Sequence, residues 1–231
     1  MRRMTSPDLS LSLPDRARGA LLDLACGDAV GTTVEFSPRG SFAPVTDMVG
    51  GGPFSLRPGQ WTDDTSMALC LADSLIACQG FDARDQMNRY LNWWRWGYLS
   101  STGDCFDIGI TVRAALARFE ANGEPFAGST DPQTAGNGSL MRLAPVVLAF
   151  ANEAQAVAMA ADSSRTTHGA PEAVDCCRLL AHLLHRALAG QSLAQAFADA
   201  PQVVSEPAAR AIAQGGFMGK PESQIQGSGY C

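Results

Sequence analysis

The chain of 231 residues carries 17 Lys and Arg against 23 Asp and Glu, a net charge of −6, with 46% hydrophobic and 17% charged residues. That length suits one domain with a sizeable core, or two small ones. The acidic balance excludes bulk attraction to nucleic acid or an anionic membrane, so a phosphate-bearing ligand would need backbone amides, a metal ion or a few local arginines.

Residues 1–14 lack the uninterrupted apolar run of a signal peptide, despite Arg2 and Arg3, and read as a flexible tail before one domain over residues 15–231. The longest apolar stretch, 140–151, is interrupted by Arg142 and Pro145 and is too short to span a bilayer. A cytoplasmic location is expected. Seven cysteines form no Cys-x-x-Cys pair. Cys26, Cys70, Cys78, Cys176 and Cys177 fall in apolar helical patterns and read as buried, reduced thiols.

Apolar residues return at helical spacing, with Ala and Leu dominant, over 16–30, 63–78, 83–99, 107–122, 139–150, 153–163, 170–188, 193–199 and 207–214. Gly and Pro gather between them at 48–58, 123–138 and 215–229. No strand alternation persists long enough for a sheet. The expected fold is one compact all-α domain. Within the third helix, Leu91, Trp94 and Tyr98 share a face, so the cluster Trp93, Trp94, Trp96 and Tyr98 reads as packing rather than base stacking.

Five polar motifs punctuate this pattern. Gly27-Asp28-Ala29-Val30-Gly31 places glycines at helical spacing, with Glu35 just beyond the helix end; it fits a tight helix crossing or a ligand-facing surface. Gln60-Trp61-Thr62-Asp63-Asp64-Thr65 opens an apolar helix. It reads either as an N-cap or as hard oxygen ligands for Mg²⁺ or Mn²⁺. Cys105-Phe106-Asp107-Ile108-Gly109 puts Asp107 at a helix start, again a cap on its own terms. Gly136, Asn137, Gly138 and Ser139 lead into Leu140-Met141-Arg142. They form a turn and cap, or an anion site of exposed backbone N–H groups suited to a pyrophosphate. Thr166-Thr167-His168 lies between two helices, where His168 is either structural or a donor to a phosphate or sugar hydroxyl.

In this order and company the motifs closely resemble the ADP-ribosylglycohydrolase family, from about Leu21 through Gly227-Ser228-Gly229-Tyr230. The resemblance implies a single compact orthogonal helical bundle with a binuclear Mg²⁺ or Mn²⁺ site in a cleft. It also implies a metal-dependent hydrolase that removes ADP-ribose from protein side chains, arginine foremost, or from a related ADP-ribosyl conjugate. The partner is then an ADP-ribosylated protein or small molecule. Carried across, Thr62, Asp63 and Asp64 match metal ligands, and Glu35, Asp107 and Asp64 the catalytic acids. Gly136, Asn137, Gly138 and Ser139 would hold the diphosphate, with His168 lining the same pocket.

One family feature, an Asp-x-Asp-Thr on a C-terminal helix, has no counterpart in these 231 residues. Thr62, Asp63 and Asp64 offer too few oxygens for two divalent ions that want about six each. A C-terminally truncated member is therefore expected, with apolar surface left uncovered. The alternative function is binding of ADP-ribose, or of an ADP-ribosylated partner, without hydrolysis.

Overall fold

The computed structural model describes residues 11–225 and 229–231. Residues 1–10 of the expected tail, with Gly227 and Ser228 of the last motif, lie outside the described residues. Among the described residues nine α-helices follow one another: α1 (Leu13–Gly31), α2 (Asp63–Ala77), α3 (Ala83–Trp96), α4 (Ile110–Asn122), α5 (Ala144–Ala149), α6 (Glu153–Arg165), α7 (Pro171–Leu188), α8 (Leu193–Ala198) and α9 (Pro207–Ala213). Extended pairing there is limited to isolated bridges, Gly51 with Leu56, Ser129 with His168 and Gly136 with Tyr230. No helix among these residues is long and apolar enough to cross a membrane.

Local chemistry sets most of the boundaries. Ser12, Asp82, Asn152 and Ser192 each accept a backbone N–H in the first turn of α1, α3, α6 and α8, satisfying donors that a helix start leaves unpaired. Three helices fall short of the predicted bounds by three residues or more at one end, whereas α1 begins three residues earlier than predicted. The helix expected over 139–150 shrinks to α5, because Pro145 has no N–H to donate and its ring blocks the carbonyl four residues earlier. A short 3₁₀ turn, Asn137–Ser139, replaces the lost part. α4 starts at Ile110 rather than 107, because Asp107 sits at φ 57°, outside right-handed helix space. α3 stops at Trp96, where Gly97 takes the left-handed cap conformation at φ 65°.

The core is shared by α2 to α7. Met67, Leu71 and Leu75 of α2 meet Met87, Tyr90 and Trp93 of α3, Leu116 and Phe119 of α4, and Val146 and Val147 of α5. α6 and α7 pack closely because their facing positions are small: Ala156, Ala160, Ala173, Cys177 and Ala181 are all fully buried. Trp93 fills the core together with Tyr90 and Met87, and Leu91 and Trp94 pack half-buried against it as expected, while Tyr98 falls beyond the helix end and Trp96 is exposed. The cysteine expectation needs a similar correction. Cys70 and Cys177 are buried, Cys26 and Cys78 exposed, and Cys176 half-buried; all seven are free. α1 rides on this core with only Ala29 buried. A groove of about 440 Å³, lined by Leu21, Leu75, Pro145, Leu148 and Phe150 among others, runs beside it.

Gly97 starts the loop that delivers Asp107. A Cβ there would overlap the carbonyl of Gly103 and would hold a left-handed backbone. Gly97→Ala should therefore lower stability by about 1–3 kcal/mol, measured by urea denaturation followed by circular dichroism.

Candidate active site

The start of α2 is held from outside. Thr62 is its N-cap by backbone, yet its side chain makes no capping bond. Asp28 on α1 supplies the cap instead. Its carboxylate accepts from Thr62 N at 3.0 Å, Thr62 Oγ1 at 2.8 Å, Thr65 N at 3.0 Å and Thr65 Oγ1 at 2.6 Å. The backbone donors that a capping box divides between two local side chains thus go to one residue of another helix. Freed from capping duty, the Asp63 and Asp64 side chains share the mouth of the helix, Asp63 buried and Asp64 half-buried.

Glu35 follows α1 at the end of a 3₁₀ turn, Thr32–Val34, and takes a hydrogen bond from Thr32 Oγ1 at 3.4 Å. Asp107 reaches the same place from the loop before α4, and its carboxyl and that of Glu35 are within hydrogen-bonding reach. An aromatic stack clamps the two segments: Phe36, next to Glu35, meets Phe54 at 6.3 Å between centroids, and Phe54 meets Phe106, next to Asp107, at 5.3 Å. Phe36 is itself left-handed at φ 61°. Gln60 Nε2 and Ser101 Oγ, bonded to the Ser101 and Trp61 carbonyls, tie the Asp107 loop to the approach of α2. A cleft of about 280 Å³ results, lined by Gly27, Asp28, Gly31, Thr32, Glu35, Thr62 and Asp64. A Cβ on Gly27 or Gly31 would meet open space, so these glycines face the cleft rather than a tight helix crossing.

The electrostatics of this cleft are one-sided. Burial is the largest cause of a raised pKa at each acid. Neighbouring carboxylates add to it at each of them, and at Glu35 bonds from Asp107 and Thr32 oppose it. Asp64 is pushed up to about 6 and Asp107 to about 7, while Asp63 lies well above its ordinary range. Four acids crowded this way call for a cation.

The donor set fits a hard divalent ion. Thr62 Oγ1 gives its proton to Asp28, which leaves oxygen lone pairs beside two adjacent carboxylates. Among the described residues no three His, Cys, Asp or Glu side chains are already drawn together as a cage. Thr62, Asp63 and Asp64 could supply only part of an ion's shell, and water, ligand or further protein oxygens would have to complete it.

The other predicted residues form a second cluster. Gly136, Asn137, Gly138 and Ser139 do not open an α-helix; they make the 3₁₀ turn, so no long helix axis points at them. Asn137 N donates to the Gly229 carbonyl at 3.1 Å. Ser139 is buried, its Oγ accepting from Ser164 Oγ and Cys177 Sγ. His168 is 2% exposed, with Nδ1 2.9 Å from Thr167 Oγ1, and its ring lies so close that a Cβ on Gly138 would stand 2.9 Å from Cε1. Burial and Arg142 lower its pKa to about 3, so its ring is neutral near pH 7. α4 joins the clusters, since Asp107 precedes it and Val112 within it touches the Gly138 position.

Sequence reasoning missed two residues that organise these clusters. One is Asp28; its signal was the Gly-Asp-Ala-Val-Gly motif itself, with a carboxylate one turn before the helix end. The other is Arg142, fully buried and stacked over Tyr90 at 4.7 Å. It donates to the Gly138 carbonyl at 3.1 Å and to Thr167 Oγ1 at 2.8 Å.

A family model described as ADP-ribosylglycohydrolase matches residues 9–231. The chain belongs to this family. It is 48% identical over 218 residues to the ADP-ribosylarginine hydrolase Tri1 of Pseudomonas putida (strain GB-1), covering 94% of this chain and 58% of that protein. It is 35% identical to the ADP-ribosyl-[dinitrogen reductase] glycohydrolase of Rhodospirillum rubrum, over 88% of this chain and 67% of that one. A solved structure described as an ADP-ribosylglycohydrolase-related protein complex superposes with a TM-score of 0.81 at 46% identity, covering 95% of this chain and 72% of its own. The helical bundle is thus that of the ADP-ribosylglycohydrolases, and the chain spans under two-thirds of the length of Tri1.

Two outcomes are expected of this ADP-ribosylglycohydrolase site. Asp28→Ala should cost roughly 2–4 kcal/mol, the loss of a cap plus orphaned donors at Thr62 and Thr65, measured by chemical denaturation in chelator. Asp107 binds its proton up to about pH 7 when folded and to 3.8 ordinarily. The unfolded chain therefore releases that proton first, and this group opposes folding increasingly as pH rises from about 4 to about 7. In chelator, the thermal midpoint of Asp107→Asn relative to the unsubstituted chain should rise across that window and level off above it.

Proposed function

We propose that this chain hydrolyses the glycosidic bond between ADP-ribose and a modified side chain, with arginine as the foremost acceptor. The observation that carries this reading is the meeting of Glu35, Thr62 and Asp64 in one cleft, with Asp107 within reach of Glu35 and Asp63 beside Asp64, in a chain 48% identical to an ADP-ribosylarginine hydrolase. A Mg²⁺ or Mn²⁺ ion held by Thr62, Asp63 and Asp64 would supply Lewis acidity toward the oxygens of the distal ribose.

The protein's own groups then divide the work. Cleavage of the ribosyl C–N bond builds positive charge on the sugar carbon and its ring oxygen, and the carboxylates of the cleft lower the energy of that charge. Glu35 and Asp107 share a hydrogen bond, and Asp107, pushed up to about 7 by burial and by Glu35, holds a proton for much of the time at neutral pH. Two neighbouring acids, one of them holding a proton near neutral pH, suit a base that takes a proton from water and a partner that returns one to the leaving guanidine. Glu35 is assigned the base. Such help is worth on the order of 10²–10⁴ in rate.

The diphosphate is assigned to the loop of Gly136, Asn137, Gly138 and Ser139, above the buried charge of Arg142 and with neutral His168 alongside; the Gly136 and Asn137 N–H groups would have to leave the Thr134 and Gly229 carbonyls to donate to it. The seven free thiols agree with a reducing, cytoplasmic setting.

The test combines binding and turnover. The thermal midpoint should rise most with Mn²⁺ or Mg²⁺ and ADP-ribose together. Release of ADP-ribose from ADP-ribosylarginine should fall about 10²–10⁴-fold in Glu35→Gln. A midpoint shift with ADP-ribose, without turnover under any metal, would replace hydrolysis by binding alone. Full turnover in Glu35→Gln with none in Asp107→Asn would reverse the two roles.

A further inference from the structure

Residues 229–231 join two parts of the fold. On one side they pair with the glycine loop: Cys231 N donates to the Ala135 carbonyl at 2.9 Å, and Asn137 N to the Gly229 carbonyl at 3.1 Å. The Cys231 thiol points at the Gly136 carbonyl, 3.2 Å away. On the other side they lie against the first turns of α7. Tyr230 Oη is 2.9 Å from Glu172 Oε2, and Cys231 packs on Ala173 and Ala170. Residues three and four apart share a helix face, so Cys176 is the next side chain along the stripe begun by Glu172 and Ala173. Its thiol faces that of Cys231, and each perturbs the other's proton affinity. Two cysteines far apart in sequence are thus in contact, and both are half-buried, within reach of a small oxidant.

We infer that Cys176 and Cys231 are a redox-modification site, which peroxide closes to a disulfide that pins residues 229–231 to α7 and, through them, the loop at 135–137.

The chemistry balances with hydrogen peroxide as oxidant. The Cys176 thiolate attacks one peroxide oxygen, the O–O bond breaks, and water leaves after taking up a proton. Cys176 is then a sulfenic acid. Cys231, as thiolate, attacks that sulfur; the S–O bond breaks, a second water departs, and the S–S bond forms. Two thiols lose two electrons and two protons, and one peroxide becomes two waters. Cys176 is the first nucleophile because the facing Cys231 thiol lowers its pKa, while that of Cys231 is raised. Cys177, its neighbour, is fully buried against Ser139 and takes no part.

A disulfide here would act on the glycine loop without touching the acid cleft. The loop's pairing with residues 229–231 rests on a few backbone bonds and the Tyr230 contacts, and a covalent tie would hold that pairing shut. Pairs of this half-exposed kind are the ones that open and close with cellular redox state rather than staples fixed at folding.

The experiment uses the whole chain, reduced and then exposed to peroxide, in a Cys26→Ser, Cys78→Ser background that removes the exposed thiols. Non-reducing tryptic mapping should show peptide 166–178 linked to the peptide bearing Cys231, two hydrogens lighter than the pair, with fragmentation placing the bond at Cys176. The link should vanish in Cys176→Ser and in Cys231→Ser, and be reversed by dithiothreitol. Amide exchange at Asn137 and Cys231 should slow in the oxidised chain. A link that survives Cys231→Ser, or oxidation that leaves both peptides unlinked while the far-ultraviolet spectrum stays helical, overturns the inference. So does a linked chain whose exchange at Asn137 is unchanged. None of these readouts uses ADP-ribose, so the pair is tested apart from the hydrolase reading.

Discussion

The bond set that the cleft depends on is the capping of α2 by Asp28. A helix start needs acceptors for its first N–H groups, and Thr62 would ordinarily provide one from its own side chain. Asp28 provides them from α1 instead, and in doing so fixes the two helices in register at one point. The consequence is chemical as well as mechanical. Thr62 keeps its hydroxyl oxygen for the cleft, Asp63 and Asp64 are aimed by the first turn, and Gly27 and Gly31 floor the space one helical turn apart. Close hydrogen bonds to a carboxylate are among the stronger ones available to a protein, which suits a joint that must hold like charges together.

Holding those charges works against stability. Burial raises the pKa of Glu35, Asp63, Asp64 and Asp107, the fields of neighbouring carboxylates, Asp28 among them, add to it, and no packing advantage comes from the acids themselves. The surrounding structure absorbs the strain. The Phe36, Phe54 and Phe106 stack presses the Glu35 and Asp107 segments together, and both Phe36 and Asp107 hold left-handed backbone. Conformations of that kind persist where neighbours over-determine them, and they gather at functional sites. A divalent cation would relieve the repulsion directly, which is the physical link between the acids' electrostatics and the proposed chemistry.

The second cluster has the opposite polarity. Arg142 lies fully buried under Gly138, its terminal N–H groups donating to carbonyls and threonine hydroxyls and its plane over Tyr90, while its Nε has no partner among the described residues. Burial, with the field of Arg142 added to it, keeps His168 neutral. An acidic cleft ahead of α4 and a buried cation below a glycine loop that touches Val112 in the first turn of that helix match the proposed ligand, whose ribose hydroxyls and diphosphate ask for different partners.

What the sequence by itself determined was local. Helical periodicity located all nine helices, because residue type and spacing suffice for a helix face, while the polar motifs read on those terms as caps and turns, and only their resemblance to the family singled out Glu35, Thr62, Asp63, Asp64 and Asp107. Periodicity misplaced the helix starts at 107 and 139, where a left-handed Asp107 and Pro145 override apolar spacing. Only the tertiary structure decided that Asp28 rather than Thr62 caps α2 and that Trp93 rather than Trp94 is fully buried. It also decided that three phenylalanines clamp Glu35 to Asp107, and that Cys231 meets Cys176. Each of those depends on a partner from another element, brought close by folding, and no pattern within a single segment encodes which distant side chain will arrive.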